Sequence, residues 1–119
     1  MKRGDIYIAN LPKTSGSIQH GQRPVLVIQN NTGNRRAPTV IIAPITSQAK
    51  KMNMPTHVWL SNNSLMVHNK KFYWDLHKSV VMFEQIMTVD KKMLKERIAR
   101  TDVLPDMELA VMVSLGMGG

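Results

Sequence analysis

The segment from residue 21 to residue 30, GQRPVLVIQN, constrains the backbone more than any other part of the chain. Pro24 disfavours helical backbone at the residue before it, so Arg23 is held in an extended conformation. Residues 25–28 are apolar and mostly β-branched, which is typical of a short buried strand. A permanently charged guanidinium therefore stands at the mouth of a core strand. There it either caps the strand edge or binds an anion.

Other apolar runs predict further strands. We expect them at residues 5–11, 39–45, 55–60 and 79–83, with residues 84–89 continuing the last of them. Strand follows strand along this part of the sequence without an intervening long helix. The order therefore favours antiparallel pairing over an alternating α/β fold.

The remaining segments complete the prediction. Residues 30–38 are predicted to form a turn with a basic tip, and residues 90–94 a short helical turn. Residues 95–100 fit a strand and a helix equally. Pro105 suits the first position of a last helix that ends at about Leu115. Five or six short strands and one closing helix predict a single domain over residues 1–119, with the fold of a small, mostly antiparallel barrel.

The charge of the chain is unevenly distributed. Sixteen Lys and Arg against eight Asp and Glu give a net charge of +8. All the basic residues lie at or before Arg100, whereas the only charged residues in 101–119 are acids. A basic body predicts a polyanionic partner, and any basic surface attracts a phosphate backbone.

Several classes of site and location are excluded by composition. The chain has no cysteine, which excludes disulfides, thiolate metal sites and cysteine nucleophiles. The histidines at positions 20, 57, 68 and 77 form no recognisable metal-binding pattern, so we predict no metal and no cofactor. The N-terminus lacks a signal-peptide core, and no apolar stretch is long enough to span a membrane. We therefore expect a soluble, cytoplasmic protein.

Six motifs occur in an order that resembles one protein family, the MazF/PemK toxins of bacterial toxin–antitoxin systems. They are RGDIY from residue 3, GSIQHGQRPVLVIQN from 16, PTVIIAPITSQ from 38, PTHV from 55, FEQIMTVDK from 83 and SLG from 114. The resemblance covers most of the chain. It implies an SH3-like antiparallel barrel with a C-terminal helix, which agrees with the pattern of strands.

The resemblance also implies an activity and partners. These toxins are metal-independent endoribonucleases that cleave single-stranded mRNA at short sequences without the ribosome. The 2′-hydroxyl attacks the adjacent phosphorus and leaves a 2′,3′-cyclic phosphate and a 5′-hydroxyl. The family implies a homodimer, inhibition by an acidic MazE/PemI-like antitoxin, and contact with operator DNA only through the antitoxin complex.

Four residues match positions that function in the family. Arg23 matches the arginine of the G-x-R-P motif and is expected to hold the phosphate in the transition state. Thr46 matches a strand-end threonine whose hydroxyl donates to a phosphate oxygen; otherwise such a threonine bonds the backbone. Glu84 and Gln85 match an acid–Gln pair expected to read base edges, with Glu84 also a candidate general base. The alternative for this pair is a solvated strand end.

Further contacts with RNA are expected from Gln19, Ser47, Gln48 and His57, for which the resemblance implies a place near the site. Two departures from the family pattern leave the proton acceptor open. Ile18 stands where many relatives have a glutamate, and Met87 where they commonly have an arginine. His20, three residues before Arg23, is a second candidate for this role, although a loop histidine is commonly only solvated.

Residues 61–78 form a longer connection than the family usually has. It places Phe72, Tyr73 and Trp74 together, beside Lys70 and Lys71. Exposed rings would stack on unpaired bases while the lysines hold phosphate, whereas buried rings would form an extra hairpin. Alternation along a strand requires at least one of the three rings to face outward, so we predict that this segment contacts RNA or the antitoxin.

Two other functions stay open. The same barrel resembles the CcdB-type toxins, which inhibit DNA gyrase by binding, so a catalytically weakened or non-catalytic binding module is the main alternative. A basic ribosome-associated protein is the third possibility, and only the charge favours it.

Overall fold

The computed structural model describes residues 1–14, 16–47, 54–62, 64–69, 75–103 and 105–118. Over this part of the chain there are eight strands and two helices. They are β1 Asp5–Leu11, β2 Gly21–Val27, α1 Asn31–Arg36, β3 Thr39–Thr46, β4 His57–Trp59, β5 Met66–Val67, β6 Val80–Met82, β7 Met87–Asp90, β8 Leu94–Arg100 and α2 Pro105–Ser114.

All strand pairs are antiparallel, and the sheet runs in the order β4-β6-β3-β2-β1-β8-β5, with β7 also paired to β3. Successive parts of β3 pair with β7, β2 and β6, so β3 connects both halves of the sheet. The predicted antiparallel fold with a C-terminal helix is confirmed. Between the strands that the structure describes the sheet stays open, because its path ends at β4 and β5 and does not close into a ring.

The core explains the apolar run that follows Pro24. Leu26 packs in one cluster, which also contains Phe83 and Met107 of α2. Val25 and Val27 point to the opposite face, into a second cluster. Both faces of β2 are therefore buried at residues 25–27, which is why that part of the strand is continuously apolar rather than alternating.

The N-terminus is tied to two other elements through Gly4. Its N–H donates to the carbonyl of Val27 at 2.8 Å, and its carbonyl accepts from the N–H of Thr101 at 2.9 Å. Gly4 has a φ of +98°, a backbone conformation that a side chain disfavours. These bonds fasten the start of β1 to the end of β2 and to the segment that follows β8.

Three local predictions are corrected. Residues 31–36 form a helix rather than a turn, because the Asn30 side chain caps it by accepting from Gly33 N at 2.8 Å. Residues 83–85 form a 3₁₀ turn rather than a continuing strand. The expected strand at 55–60 is shortened to His57–Trp59, since residues 60–62 form another 3₁₀ turn.

The structure also describes residues 95–100 and the lengths of the helices. Residues 95–100, which fitted a strand and a helix equally, belong to strand β8. Among the helices of the described residues, none is long and apolar enough to cross a membrane.

Candidate functional site

Arg23 lies near the start of β2, and its guanidinium is held from three sides. Nε donates to the carbonyl of His20 at 2.9 Å, and Nη1 donates to Oε1 of Gln19. Nη1 also lies 3.5 Å from the carbonyl oxygen of Ile45, in the last part of β3. The side chain is partly buried. The guanidinium is therefore fixed between the loop that precedes β2 and the end of β3.

Thr46 is the last residue of β3 and directly follows the carbonyl that Arg23 contacts. Its register opposite Val80 of β6 fixes the backbone at this point. Thr46 is partly buried, and Ser47 beyond it is exposed. The Arg23 guanidinium therefore lies next to the backbone of the residue that precedes Thr46.

Gln85 holds the loop that carries Gln19. Its Oε1 accepts from the N–H of Gln19 at 2.9 Å, and its Nε2 donates to the carbonyl of Ser17 at 3.1 Å. Ile18, between these two anchor points, is 44% exposed, and the side chain of His20 is also exposed. The amide of Gln85 therefore bonds the loop backbone and stabilises the residue that holds Arg23.

Replacing Gln85 with alanine should loosen this loop without unfolding the sheet. The hydrogen bond to the Gln19 N–H is lost, so we expect its amide hydrogen exchange to accelerate by about tenfold or more, while the amides of β2 and β3 keep their protection. Hydrogen exchange followed by NMR measures both. Gln22→Ala, at an exposed position of β2, is the matched control. Equal exchange of Gln19 in the two variants would contradict the assigned contact.

A second cluster lies beyond Gln85 and contains Glu84. Its Oε2 is 2.8 Å from Nε2 of His57, and its Oε1 accepts from the hydroxyl of Thr56 at 3.2 Å. The His57 side chain is 10% exposed and that of Glu84 26% exposed. The N–H of Phe83 bonds the carbonyl of Thr56 at 2.9 Å, which brings the two segments together.

Hydrogen bonds therefore connect several of the predicted site residues. A chain of contacts joins Arg23, Gln19 and Gln85, and Glu84 and His57 follow from the neighbouring residue of the same 3₁₀ turn. Four predicted positions lie outside the described residues. They are Gln48, Lys70, Lys71 and Trp74.

Sequence reasoning missed Thr56, which belongs to the second cluster. Thr56 directly precedes His57 in the PTHV motif, and its hydroxyl could have been recognised as a donor within that motif. Met87 packs against the second core cluster in β7. Among the residues that the structure describes, no group of three or more His, Cys, Asp or Glu is arranged to hold a metal ion.

The open antiparallel sheet with a C-terminal helix agrees with what comparison with known proteins finds. Residues 2–112 match a protein-family model described as the PemK-like, MazF-like toxin of type II toxin–antitoxin systems. The match spans nearly the whole chain. The protein therefore belongs to this toxin family, as the motifs predicted.

Solved structures share the fold. MazF from Deinococcus radiodurans superposes with a TM-score of 0.71 at 22% identity, covering 98% of this chain and 97% of that one. An endoribonuclease from a mycobacterial species, solved in complex with its cognate antitoxin, gives 0.70 at 21% identity, covering 100% and 98%. The Mycobacterium tuberculosis toxin MazF-mt6 gives 0.68 at 22% identity, covering 97% and 99%.

Proposed function

We propose that this protein is an endoribonuclease toxin that cleaves single-stranded RNA at short sequences without a metal ion. The observation that carries the proposal is the guanidinium of Arg23, held by the loop before β2 and lying 3.5 Å from the carbonyl that precedes Thr46. The family assignment and the endoribonucleases among its structural relatives support the same activity.

The proposed reaction begins with attack of the 2′-hydroxyl oxygen on the adjacent phosphorus. The P–O5′ bond breaks, the leaving 5′-oxygen takes up a proton from Arg23 or from water, and the products are a 2′,3′-cyclic phosphate and a 5′-hydroxyl. Charge builds up on the phosphoryl oxygens during this step, and a fixed guanidinium stabilises it without reorganisation. Arg23 supplies that charge, and the Thr46 hydroxyl donates to a phosphoryl oxygen. Glu84 and His20 are the two candidates for accepting the 2′-hydroxyl proton.

The bases on either side of the cut would lie against the residues around Arg23. Gln19, Ser47, Gln85 and Glu84 provide amide, hydroxyl and carboxylate groups there, of the kinds that read unpaired bases. Gln48, Lys70, Lys71 and Trp74 are proposed to extend this surface with phosphate and stacking contacts.

We further propose that the toxin acts in the cytoplasm as a homodimer that an acidic, MazE/PemI-like antitoxin inhibits, with operator DNA bound only through that complex. Support for an apolar interface comes from α2 and the residues after it, where Leu109, Val113, Leu115 and Met117 are exposed. Support for an acidic partner comes from the net charge of +8 and from relatives solved with an antitoxin.

The test is cleavage of a long RNA of mixed sequence in EDTA. We expect discrete cuts that carry cyclic phosphate on their 3′ ends. A short RNA with a single 2′-deoxynucleotide at a mapped cut should resist cleavage there, because the nucleophile is missing. Loss of activity in EDTA, or 3′-hydroxyl ends, would contradict the proposed chemistry.

A folded protein that makes no cuts would favour the binding-module alternative. The exposed Ile18, at the tip of the loop that holds Arg23, is an apolar contact of the kind a protein partner uses. Gyrase inhibition and antitoxin binding would then distinguish a CcdB-like toxin from an inactive one.

A further inference from the structure

We propose that His57 is a positioning residue, which acts on RNA through Glu84 and not by direct contact. This inference rests on the proposed function, because it concerns how the cleavage site reads its substrate. His57 Nε2 lies 2.8 Å from Oε2 of Glu84, and only 10% of the His57 side chain is exposed. The ring therefore contacts the carboxylate and offers little surface to a nucleic acid.

The surroundings of the ring assign its tautomer. Nδ1 is buried and, within the described residues, has no hydrogen-bond partner. A proton on Nδ1 would leave a buried donor unsatisfied, whereas a lone pair there costs less. The arrangement therefore fits a ring that carries its proton on Nε2 and donates it to Glu84.

Two donors then hold the carboxylate of Glu84. His57 bonds Oε2 and Thr56 bonds Oε1 at 3.2 Å, so neither oxygen can turn without losing a bond. Each oxygen keeps further acceptor capacity. An acceptor that two hydrogen bonds hold in place suits recognition of a donor on an unpaired base, such as an exocyclic amino group.

The position of Glu84 connects this acceptor to the cleavage centre. Gln85, the next residue, holds the loop whose Gln19 contacts Arg23. His57 and Thr56 therefore fix where the base-reading carboxylate of Glu84 lies relative to the phosphate-binding guanidinium of Arg23. We assign Glu84 the recognition of one base near the cut, which leaves His20 as the candidate proton acceptor.

The first arm of the test is independent of activity. Nitrogen-15 NMR of the histidine side chains in the RNA-free protein should show His57 protonated on Nε2, with its signals identified by their loss in His57→Gln. Replacing Glu84 with alanine should shift those signals. A wild-type ring protonated on Nδ1, or signals that Glu84→Ala leaves unchanged, would overturn the proposal even if no variant is active.

The second arm compares His57→Phe, which keeps a ring without a donor, with His57→Gln, whose amide nitrogen can reach the place of Nε2. At the preferred sites we expect His57→Phe to cut about tenfold more slowly and with a relaxed preference at one base, and His57→Gln to stay within about threefold. Thermal melting checks that both variants are folded. Should His57→Phe not fold, the tautomer measurement on the wild-type protein still decides.

A double variant separates positioning from direct contact. If His57 acts through Glu84, His57→Phe adds no loss to Glu84→Ala. Losses that multiply would mean that His57 contacts RNA by itself, and the proposal would be wrong. A wild-type protein that cuts no RNA would instead contradict the proposed function, while the NMR result would still report on the His57–Glu84 pair.

Discussion

Arg23→Ala should reduce RNA cleavage by about 10²- to 10³-fold, because the proposed mechanism assigns to Arg23 the fixed positive charge that stabilises the transition state. Arg23→Lys keeps a charge but not the planar pair of donors, so we expect about a tenfold loss. The folded state should survive both changes, since Arg23 is only partly buried and the bonds given above join it to a loop and a strand end. Single-turnover cleavage of a short RNA that contains one mapped cut measures the effect.

Arg35→Ala is the matched control for Arg23→Ala. Arg35 is an exposed arginine on α1, so its loss removes the same charge from the surface without touching the site. We expect it to lower affinity slightly, in a way that added salt abolishes, and to leave the single-turnover rate unchanged. Equal losses in the two variants would mean that Arg23 contributes only to the general basic surface.

Gly4→Ala should destabilise the protein strongly, and more than Gly16→Ala does. A Cβ at Gly4 would lie 2.2 Å from the carbonyl oxygen of Thr101, in a backbone conformation with φ of +98°. The clash is with backbone, so relieving it must disturb the bonds that Gly4 makes to Val27 and Thr101. We expect the free energy of unfolding to fall by about 3–5 kcal/mol and Tm by more than about 10 °C.

Gly16→Ala separates the two causes of this loss. Gly16 also has a positive φ, +59°, but an added Cβ there would meet nothing within 4 Å. Gly16→Ala should therefore lower the free energy of unfolding only by the cost of the backbone conformation, about 1 kcal/mol. Urea unfolding followed by circular dichroism compares the variants. A Gly4→Ala protein as stable as Gly16→Ala would show that the packing at Thr101 relaxes freely.

The strands were predictable because their signal is local. Strand β1 has the predicted bounds, and β3 follows its apolar run. Strand β2 contains the apolar residues 25–27 but begins earlier, at Gly21, because residues 21–24 pair with β1. Helix α1 was not predictable in this way, because its sequence NTGNRR has no apolar periodicity. Its stability comes from side-chain hydrogen bonds, with Asn34 buried against Gln29.

The site residues likewise differ in whether a local sequence pattern identifies them. Arg23 and Thr46 could be named as candidates from their motifs, and Arg23 Nη1 lies 3.5 Å from the carbonyl oxygen of Ile45, the residue before Thr46. The contacts of Gln85 with Gln19 and of Glu84 with His57 join residues 66 and 27 positions apart. Such pairs depend on how the sheet folds back on itself, and a single sequence contains no local pattern that specifies them.

The way Gln85 binds the loop before β2 has a consequence for the residues that position 18 can accept. It binds the loop through backbone groups on both sides of residue 18, so the identity of that residue does not enter the contact. A different side chain at this position can therefore face solvent while Arg23 keeps its contacts. The side chain at position 18 can therefore change while both hydrogen bonds of Gln85 to the loop are kept. A library randomised at this one codon samples the same freedom.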